Sequence, residues 1–243
     1  MEAASEGASI VRAAAGHLGT VRTKSSPTDP VTALDVTVER AIREFLHEHS
    51  PGSTVLGEED GQVGESSHLG WIVDPIDGTV NLTYDLPVLS VSVAATQGGR
   101  VVAGSVADVV RAEVFSACIE GGARLDGRSV HNSAVSSLAA SLIGTGFAYT
   151  PEGRAREAAV LARVLPAARD IRCFGSAALN LCWVGCGRLD GFYQRDMKIW
   201  DYAAGELIAA EGGAALLQPG PGNRQLMVAS AVPIHESLCA LVA

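Results

Sequence analysis

The chain lacks the features that mark membrane, secreted and nucleic-acid-binding proteins. None of its apolar runs approaches the length that crosses a bilayer, and its N-terminus has no basic segment followed by an apolar stretch. Basic residues are scarce, with 18 Lys and Arg against 27 Asp and Glu, for a formal net charge of −9. This acidic balance argues against broad nucleic-acid binding. We therefore predict a cytoplasmic protein that has neither a membrane nor a nucleic acid as its partner.

Cysteine is also too sparse for a disulfide framework or a zinc site. The five cysteines, an odd number, indicate reduced thiols. Cys182 and Cys186 have the spacing of a ligand pair, but no second Cys or His pair with zinc spacing accompanies them. Their segment has the composition of an apolar helix, so we expect core thiols. No Ser-His-Asp nucleophile signature is present either.

Apolar residues make up 47% of the chain, enough for a sizeable core. Periodicity predicts an α+β fold, with an antiparallel first half over about 1–135 and an α/β second half over about 136–243. No linker separates the halves, so we expect a single domain over residues 1–243. The elements predicted are helices over about 4–21, 31–46 and 152–165, strands over 53–56, 71–73, 89–96, 101–109, 113–118, 138–145, 171–174 and 189–193, a helix after 174 and a helix near 201.

The most informative segment is Asp74-Pro75-Ile76-Asp77-Gly78-Thr79, which follows the apolar run Trp71-Ile72-Val73. The run predicts a strand that ends near Pro75 and Gly78. Two carboxylates at one turn repel each other unless a cation lies between them, and Mg²⁺ prefers such oxygen ligands. If a helical turn begins at Gly78-Thr79, its free amides favour a phosphate. Taken alone, the segment would more often be a surface turn.

Two distant acidic segments favour the metal site over the surface turn. Glu58 lies in Gly57-Glu58-Glu59-Asp60, just after a β-prone run, and Asp201 precedes a series of small residues. Each has an alternative interpretation that needs no metal: a solvated acidic loop for Glu58 and a helix N-cap for Asp201. An N-cap aspartate can still turn one oxygen to a metal, so the two interpretations of Asp201 are compatible.

These segments together resemble the inositol monophosphatase family. Residues 71–79 are similar to its first signature, and residues 200–214 are similar to its second. Residues 57–59 match the acidic element upstream, and residues 24–35 resemble the N-terminal element. The resemblance implies the layered αβαβα sugar-phosphatase fold. It also implies Mg²⁺-dependent, lithium-sensitive hydrolysis of a small phosphate monoester by a homodimer.

The resemblance also assigns the metal ligands. It implies that Glu58, Asp74 and the backbone oxygen of Ile76 hold one Mg²⁺, and that Asp74, Asp77 and Asp201 hold a second. A third, looser ion is implied near Glu58. Metal ions neutralise phosphate oxygens, lower the pKa of a bound water and stabilise the leaving alkoxide.

Water activation is implied to depend on Thr79 and Asp35. Asp35 accepts the threonine proton, which leaves the Thr79 oxygen able to accept a proton from the attacking water, and Glu58 orients that water. Without the resemblance, Asp35 would be interpreted as a solvated helix carboxylate. The residues implied to contact the substrate are Asp74, Asp77, Gly78, Thr79, Gly175, Ser176, Ala177, Gln194 and Asp201. Ser176 also has a simpler interpretation as a helix cap.

Two positions depart from the family pattern. Leu82 stands where the first signature usually has an aromatic residue, and Gln194 stands where the inositol-cleaving members carry Glu. Glutamine keeps the reach and an acceptor oxygen but loses the charge. This departure weakens the assignment to inositol phosphate but not the assignment to phosphatase chemistry. We predict an inositol-1-monophosphatase, with histidinol phosphate, fructose 1,6-bisphosphate, NADP or a 3′-phosphoadenosine as alternative substrates. A non-catalytic interaction or regulatory role, as in bacterial RNA-polymerase regulation, is the alternative of a different class.

Overall fold

The computed structural model describes residues 1–14, 21–23, 30–64, 68–220 and 225–243. The helices there are α1 (Glu2–Ala14), α2 (Ala33–His49), α3 (Thr79–Thr83), α4 (Pro151–Val164), α5 (Ala177–Gly185), α6 (Ile199–Glu211) and α7 (Val232–Val242), with a 3₁₀ turn over Leu138–Ala140. The strands are β1 (Val21–Thr23), β2 (Pro30–Thr32), β3 (Thr54–Gly57), β4 (Gly61–Val63), β5 (Leu69–Asp77), β6 (Ser90–Gln97), β7 (Arg100–Asp108), β8 (Glu113–Cys118), β9 (Ala123–Leu125), β10 (Arg128–Ser129), β11 (Leu142–Thr145), β12 (Asp170–Cys173), β13 (Gly191–Gln194), β14 (Ala215–Leu217) and β15 (Met227–Ser230).

Most of the strands form two sheets, one in each half of the chain. The larger sheet has the order β10-β9-β8-β7-β6-β5-β3-β4 and is antiparallel except for the β3–β5 pair. The smaller sheet has the order β12-β11-β13-β15-β14, in which β11 pairs in parallel with β12 and β13. β1 and β2 form a separate two-stranded pair.

The two sheets and the helices stack as five layers. Helices α1 and α2 cover one face of the larger sheet, where Ile42 of α2 and Val91 of β6 are fully buried in one cluster. Helices α5 and α6 fill the space between the sheets, and their cluster includes Phe115 from the larger sheet and Phe192 from the smaller one. Helices α4 and α7 cover the outer face of the smaller sheet. The predicted αβαβα layering is therefore confirmed.

The strand and helix predictions hold best where the periodicity is strong. The hairpin of β6 and β7, the third strand β8 and the helices α2, α4, α5 and α6 are confirmed within a few residues. The predicted end of the first helix at 21 is wrong, because Val21 belongs to β1. The described part of this helix is Glu2–Ala14, and residues 15–20 lie outside the described residues. So does the Lys24–Asp29 part of the N-terminal element. The sequence did not predict β1, β2, β4, β9, β10, β14, β15 or α7.

The strand predicted to end near Pro75 and Gly78 runs through Pro75 and ends at Asp77, directly before Gly78. Asp74 pairs with Ser92 of β6 and Asp77 pairs with Ser90, so the two residues between the aspartates lie opposite one residue of β6. Proline has no N–H to donate to a ladder, and it is tolerated where such a bulge interrupts the pairing. The strand therefore carries both aspartates through the irregularity instead of stopping before it.

No helix among the described residues combines the length and the apolar character needed to cross a membrane. Cys182 is buried in α5 and Cys186 caps its C-terminus half-buried, and all five cysteines are free.

Candidate active site

The parallel pairing of β3 with β5 brings Glu58 beside Asp74. Gly57 is opposite Val73 in the register, and the Glu58 N–H continues the ladder by donating to the Val73 carbonyl at 3.2 Å. Asp74 is almost fully buried, at 2% exposure, and its Oδ1 accepts from the Ile76 N–H at 3.0 Å. The sheet therefore places two carboxylates on adjacent strands, although they are 16 residues apart in sequence.

Asp77 joins the two halves of the molecule at the N-terminus of α5. Its Oδ2 accepts from the Ser176 hydroxyl at 2.6 Å, from the Ala178 N–H at 2.8 Å and from the Ser90 hydroxyl at 3.5 Å. Ser176 is also the N-cap of α5, since its Oγ accepts from the Leu179 N–H at 3.2 Å. The capping interpretation of Ser176 is therefore confirmed, and the same hydroxyl orients Asp77.

Asp201 is not the N-cap of its helix. The N-cap of α6 is Lys198, and Asp201 occupies the third helical position, where its Oδ2 accepts from the Lys198 N–H at 2.6 Å. An acidic residue in the first turn reaches back to the free N–H of the cap and also interacts favourably with the helix dipole. The predicted N-cap role is wrong by three residues, but the carboxylate still lies at the start of the helix.

Glu58, Asp74, Asp77 and Asp201 form what we call the acidic cluster. Burial raises the pKa of Asp74 well above its usual range, and the charges of the other three raise it further. Burial raises the pKa of Asp77 to about 6, although the hydrogen bonds from Ser176 and α5 oppose the shift. Burial, followed by the charge of Asp77, raises the pKa of Asp201 to about 8. These carboxylates raise one another's pKa values because too little positive charge lies between them.

The donor chemistry of the acidic cluster fits a hard divalent cation. Its side chains offer only carboxylate oxygens, the ligands that Mg²⁺ and Ca²⁺ prefer. Within the described residues, no three Asp, Glu, His or Cys side chains already form a closed ligand set. Carboxylates this close to one another repel, and a cation between them would offset their charge.

Thr79 and Asp35 are in contact at the start of α3. The Thr79 Oγ1 lies 3.1 Å from Asp35 Oδ1 and 3.0 Å from the carbonyl oxygen of Ile76, so one hydroxyl proton has two acceptors. The other Asp35 oxygen accepts from the N–H and the hydroxyl of Thr32, at 2.8 and 2.5 Å, in a capping box of α2. Asp35 is fully buried, so its interpretation as a solvated carboxylate is wrong.

Gly78 and Gly175 allow the two halves to approach closely at the site. Gly78 has φ +110°, and a Cβ there would lie 2.8 Å from the Val88 carbonyl oxygen. Gly175 has φ +80°, and a Cβ there would lie 2.8 Å from the Asn81 amide nitrogen. That amide donates to the carbonyls of Val88 and Phe174, at 2.9 and 2.7 Å, and so ties α3 to the segment before α5. Sequence reasoning missed Asn81, since an isolated asparagine carries no pattern.

Gln194 lies apart from the acidic cluster's hydrogen bonds. It ends β13, is half-buried, and lies so close to Gly146 that a Cβ on that glycine would overlap the Gln194 amide. Ala177 is the first residue of α5 and is buried. Gly175, Ala177 and Gln194 form what we call the rim.

Sequence reasoning also missed Ser90, Glu39 and Arg43. Ser90 is fully buried and contacts both Asp77 and the Ser176 hydroxyl, at 3.1 Å in the latter case. Glu39 and Arg43 pair in α2 and contact the segment that carries Glu58. The spacing of Asp35, Glu39 and Arg43, four residues each, places all three on one face of α2 and could have indicated the pair.

Comparisons with known proteins show the family of the chain. The model of the inositol monophosphatase family matches residues 1–242. An inositol-1-monophosphatase SuhB from Mycobacterium tuberculosis is 46% identical over 245 residues, covering 96% of this chain and 84% of that protein. A Nus factor SuhB from Pasteurella multocida is 35% identical over 206 residues, covering 84% and 77%. The crystal structure of the extragenic suppressor protein SuhB from Bartonella henselae superposes with a TM-score of 0.93 at 31% identity, covering 99% of this chain and 95% of that chain. The chain belongs to the inositol monophosphatase family.

Proposed function

We propose that this protein hydrolyses small phosphate monoesters with Mg²⁺, and that inositol 1-phosphate is its substrate. The observation that carries the proposal is the acidic cluster, with Asp74 buried and the other three carboxylates half-buried, beside the contact between Thr79 and Asp35. The name of the 46%-identical mycobacterial relative supports the choice of inositol 1-phosphate. Proteins of this family are generally metal-dependent, and carboxylate oxygens suit Mg²⁺.

Four carboxylates and one carbonyl would hold the metal. Glu58, Asp74 and the Ile76 carbonyl would bind one ion, and Asp74, Asp77 and Asp201 a second, with room for a third near Glu58 in the family pattern. When bound, Mg²⁺ lowers the pKa of a coordinated water and neutralises phosphate oxygens. The hydrogen bonds from Ser176 and Ala178 occupy Asp77 Oδ2, so its Oδ1 is the oxygen left for an ion.

Thr79 and Asp35 would take the proton from the attacking water. The Thr79 hydroxyl has one proton and two acceptors, Asp35 Oδ1 and the Ile76 carbonyl. If the carbonyl serves as a metal ligand, the proton belongs to Asp35, and the lone pairs of the Thr79 oxygen can accept from water. Thr32 holds the other Asp35 oxygen and so fixes the carboxylate for this task. Glu58 would orient the same water.

The phosphate would lie against the backbone amides of Gly78 and Thr79. Gly78 precedes the first turn of α3, where main-chain N–H groups have no helical partner. At the rim, Gly175, Ala177 and Gln194 would meet the hydroxyls of the alcohol. Ser176 would act through Asp77, because its hydroxyl is 1% exposed and already bonded.

A phosphate-release assay tests the proposal. Purified protein, stripped of metal, is incubated with inositol 1-phosphate, histidinol phosphate, fructose 1,6-bisphosphate and NADP, with and without added Mg²⁺. We expect Mg²⁺-dependent phosphate release, fastest from inositol 1-phosphate. Fastest release from another ester would overturn the substrate assignment, and no release from any of them would overturn the enzymatic proposal.

A regulatory role in transcription is the second candidate, favoured by the Nus factor name of the 35%-identical relative. Such a role would not require the Thr79–Asp35 contact or the acidic cluster. A protein that binds the transcription machinery equally well after Asp74→Asn would have that role independently of catalysis.

A further inference from the structure

Glu39 is a fully buried carboxylate that the proposed reaction does not use. It lies on α2, one helical turn after Asp35. Its partner Arg43 follows one turn later, and Glu39 Oε1 accepts from Arg43 Nε at 2.9 Å and from Nη2 at 2.8 Å. Burying a charged pair is costly and gives little net stability by itself, so a buried pair with further polar contacts suggests a more specific role.

Further hydrogen bonds join the pair to β3, to β4 and to the turn between them, which carries Glu58. Glu39 Oε2 accepts from the Glu59 N–H at 2.8 Å, and Oε1 accepts from the Asp60 N–H at 3.0 Å. Arg43 donates to the carbonyl of Val55 in β3, at 3.0 Å, and to that of Gly61 in β4, at 2.6 Å. One pair of side chains thus holds both strands and the turn between them.

Glu58 is consequently fixed on both sides through its backbone. Its own N–H is bound to Val73, and the next N–H along the chain is bound to Glu39. Gly57, the residue before it, has no room for a side chain, because a Cβ there would overlap the Glu39 carboxylate and approach Arg43. These contacts fix the backbone from which the Glu58 side chain reaches the Asp74 carboxylate.

We propose that the Glu39–Arg43 pair is a positioning device for the metal ligand Glu58, so that Mg²⁺ affinity depends on it. The inference rests on the proposed metal site. Two residues of α2 would then have different effects. Asp35 contacts Thr79 and would affect the rate of the chemical step, whereas Glu39 contacts the Glu58 turn and would affect metal affinity. Groups that orient metal ligands commonly change metal affinity when they are replaced.

The test compares Glu39→Gln with a matched control, Glu113→Gln. Glu113 also forms a two-pronged pair with an arginine, Arg188, at 2.5 and 2.7 Å, but on β8 outside the proposed site. In Glu39→Gln the amide nitrogen would face an N–H donor of Arg43, Glu59 or Asp60 and find no acceptor. Mg²⁺ binding to the metal-stripped proteins is measured by isothermal titration calorimetry, below the melting temperature of each variant.

We expect Glu39→Gln to bind Mg²⁺ about 10- to 100-fold more weakly than the parent, the usual range for losing such an orienting group. Any loss of kcat at saturating Mg²⁺ should be smaller than the loss of Mg²⁺ affinity, and Glu113→Gln should bind Mg²⁺ like the parent. Equal Mg²⁺ affinity in Glu39→Gln and the parent would overturn the inference. A parent protein that does not bind Mg²⁺ would overturn the proposed function itself, and this inference with it.

A second variant decides the question if Glu39→Gln does not fold. Arg43→Lys keeps both charges but cannot reproduce the forked contacts to Glu39, Val55 and Gly61. We expect Arg43→Lys to bind Mg²⁺ more weakly than the parent. Parent-like Mg²⁺ affinity in a folded Arg43→Lys protein would overturn the inference by itself.

Discussion

The acidic cluster and the rim are held in place by different kinds of contact. Asp74, Asp77 and Asp201 each accept a backbone N–H, from Ile76, from the first turn of α5 and from Lys198 respectively. Gln194 instead stands at the end of a strand, half-buried, with its amide against Gly146. Backbone donors persist through most substitutions, so the cluster is a property of the fold, whereas the rim depends on individual side chains.

Helix termini explain why the fold tolerates several carboxylates that are buried or half-buried at the site. Asp35, Asp77 and Asp201 lie at the starts of α2, α5 and α6. The first turn of a helix carries a partial positive charge and free N–H groups, each of which favours an anion. These contacts lower the pKa values of Asp77 and Asp201, but burial outweighs them, and the values stay raised. The remaining deficit of positive charge is what a cation would supply.

The largest expected effect comes from Asp74→Asn, which removes the charge shared by the two proposed ions. We expect no measurable turnover at any Mg²⁺ concentration, because both ions should lose affinity together. Asparagine keeps an acceptor for the Ile76 N–H. The raised pKa of Asp74 means that its ionised form destabilises the folded, metal-free protein at pH values above the usual carboxyl pKa.

Stability therefore provides the control for Asp74→Asn. At pH 7 and without metal, the variant should melt at the same temperature as the parent or higher, and added Mg²⁺ should raise its melting temperature less than that of the parent. Turnover at the parental rate would contradict the shared-ligand role, and a lower melting temperature without metal would contradict the repulsion.

An intermediate effect is expected from Thr79→Ala and Asp35→Asn. Each should reduce kcat by roughly 10²- to 10⁴-fold, the usual contribution of a positioned proton acceptor, and leave Mg²⁺ affinity unchanged. Since the two residues act on one proton through a 3.1 Å contact, the double variant should be no slower than the slower single variant. Steady-state kinetics of the three variants give the comparison. Independent, multiplying losses would show that the residues do not act as a unit.

Sequence reasoning identified the cluster and missed most of what holds it. The short segments around Asp74 and Asp201 carry their own signals, because strands, turns and helix starts are local. The Ser90 and Asn81 contacts join residues 86 and 93 positions apart, and no local pattern reports such pairs. Asp35 was expected from the family resemblance alone, because its burial depends on how α2 packs on the larger sheet. The continuation of β5 through Pro75 likewise depends on its partner strand β6, with which it pairs on both sides of the bulge.

The smallest expected effect comes from the rim, in Gln194→Glu. A carboxylate accepts hydrogen bonds from substrate hydroxyls more strongly than an amide, by about 1 kcal/mol. We expect KM for inositol 1-phosphate to fall about fivefold at an unchanged Mg²⁺ requirement, since 1.4 kcal/mol corresponds to a factor of ten. KM for fructose 1,6-bisphosphate or NADP should rise, because a further phosphate near this position would be repelled. The control Gln97→Glu adds the same charge at the exposed C-terminal end of β6, far along the strand from Ser90, and should leave every KM unchanged. Equal KM values for Gln194→Glu and the parent on all three substrates would show that Gln194 does not reach the substrate. The contrast between a fixed cluster and an adjustable rim would then have to rest on another rim residue.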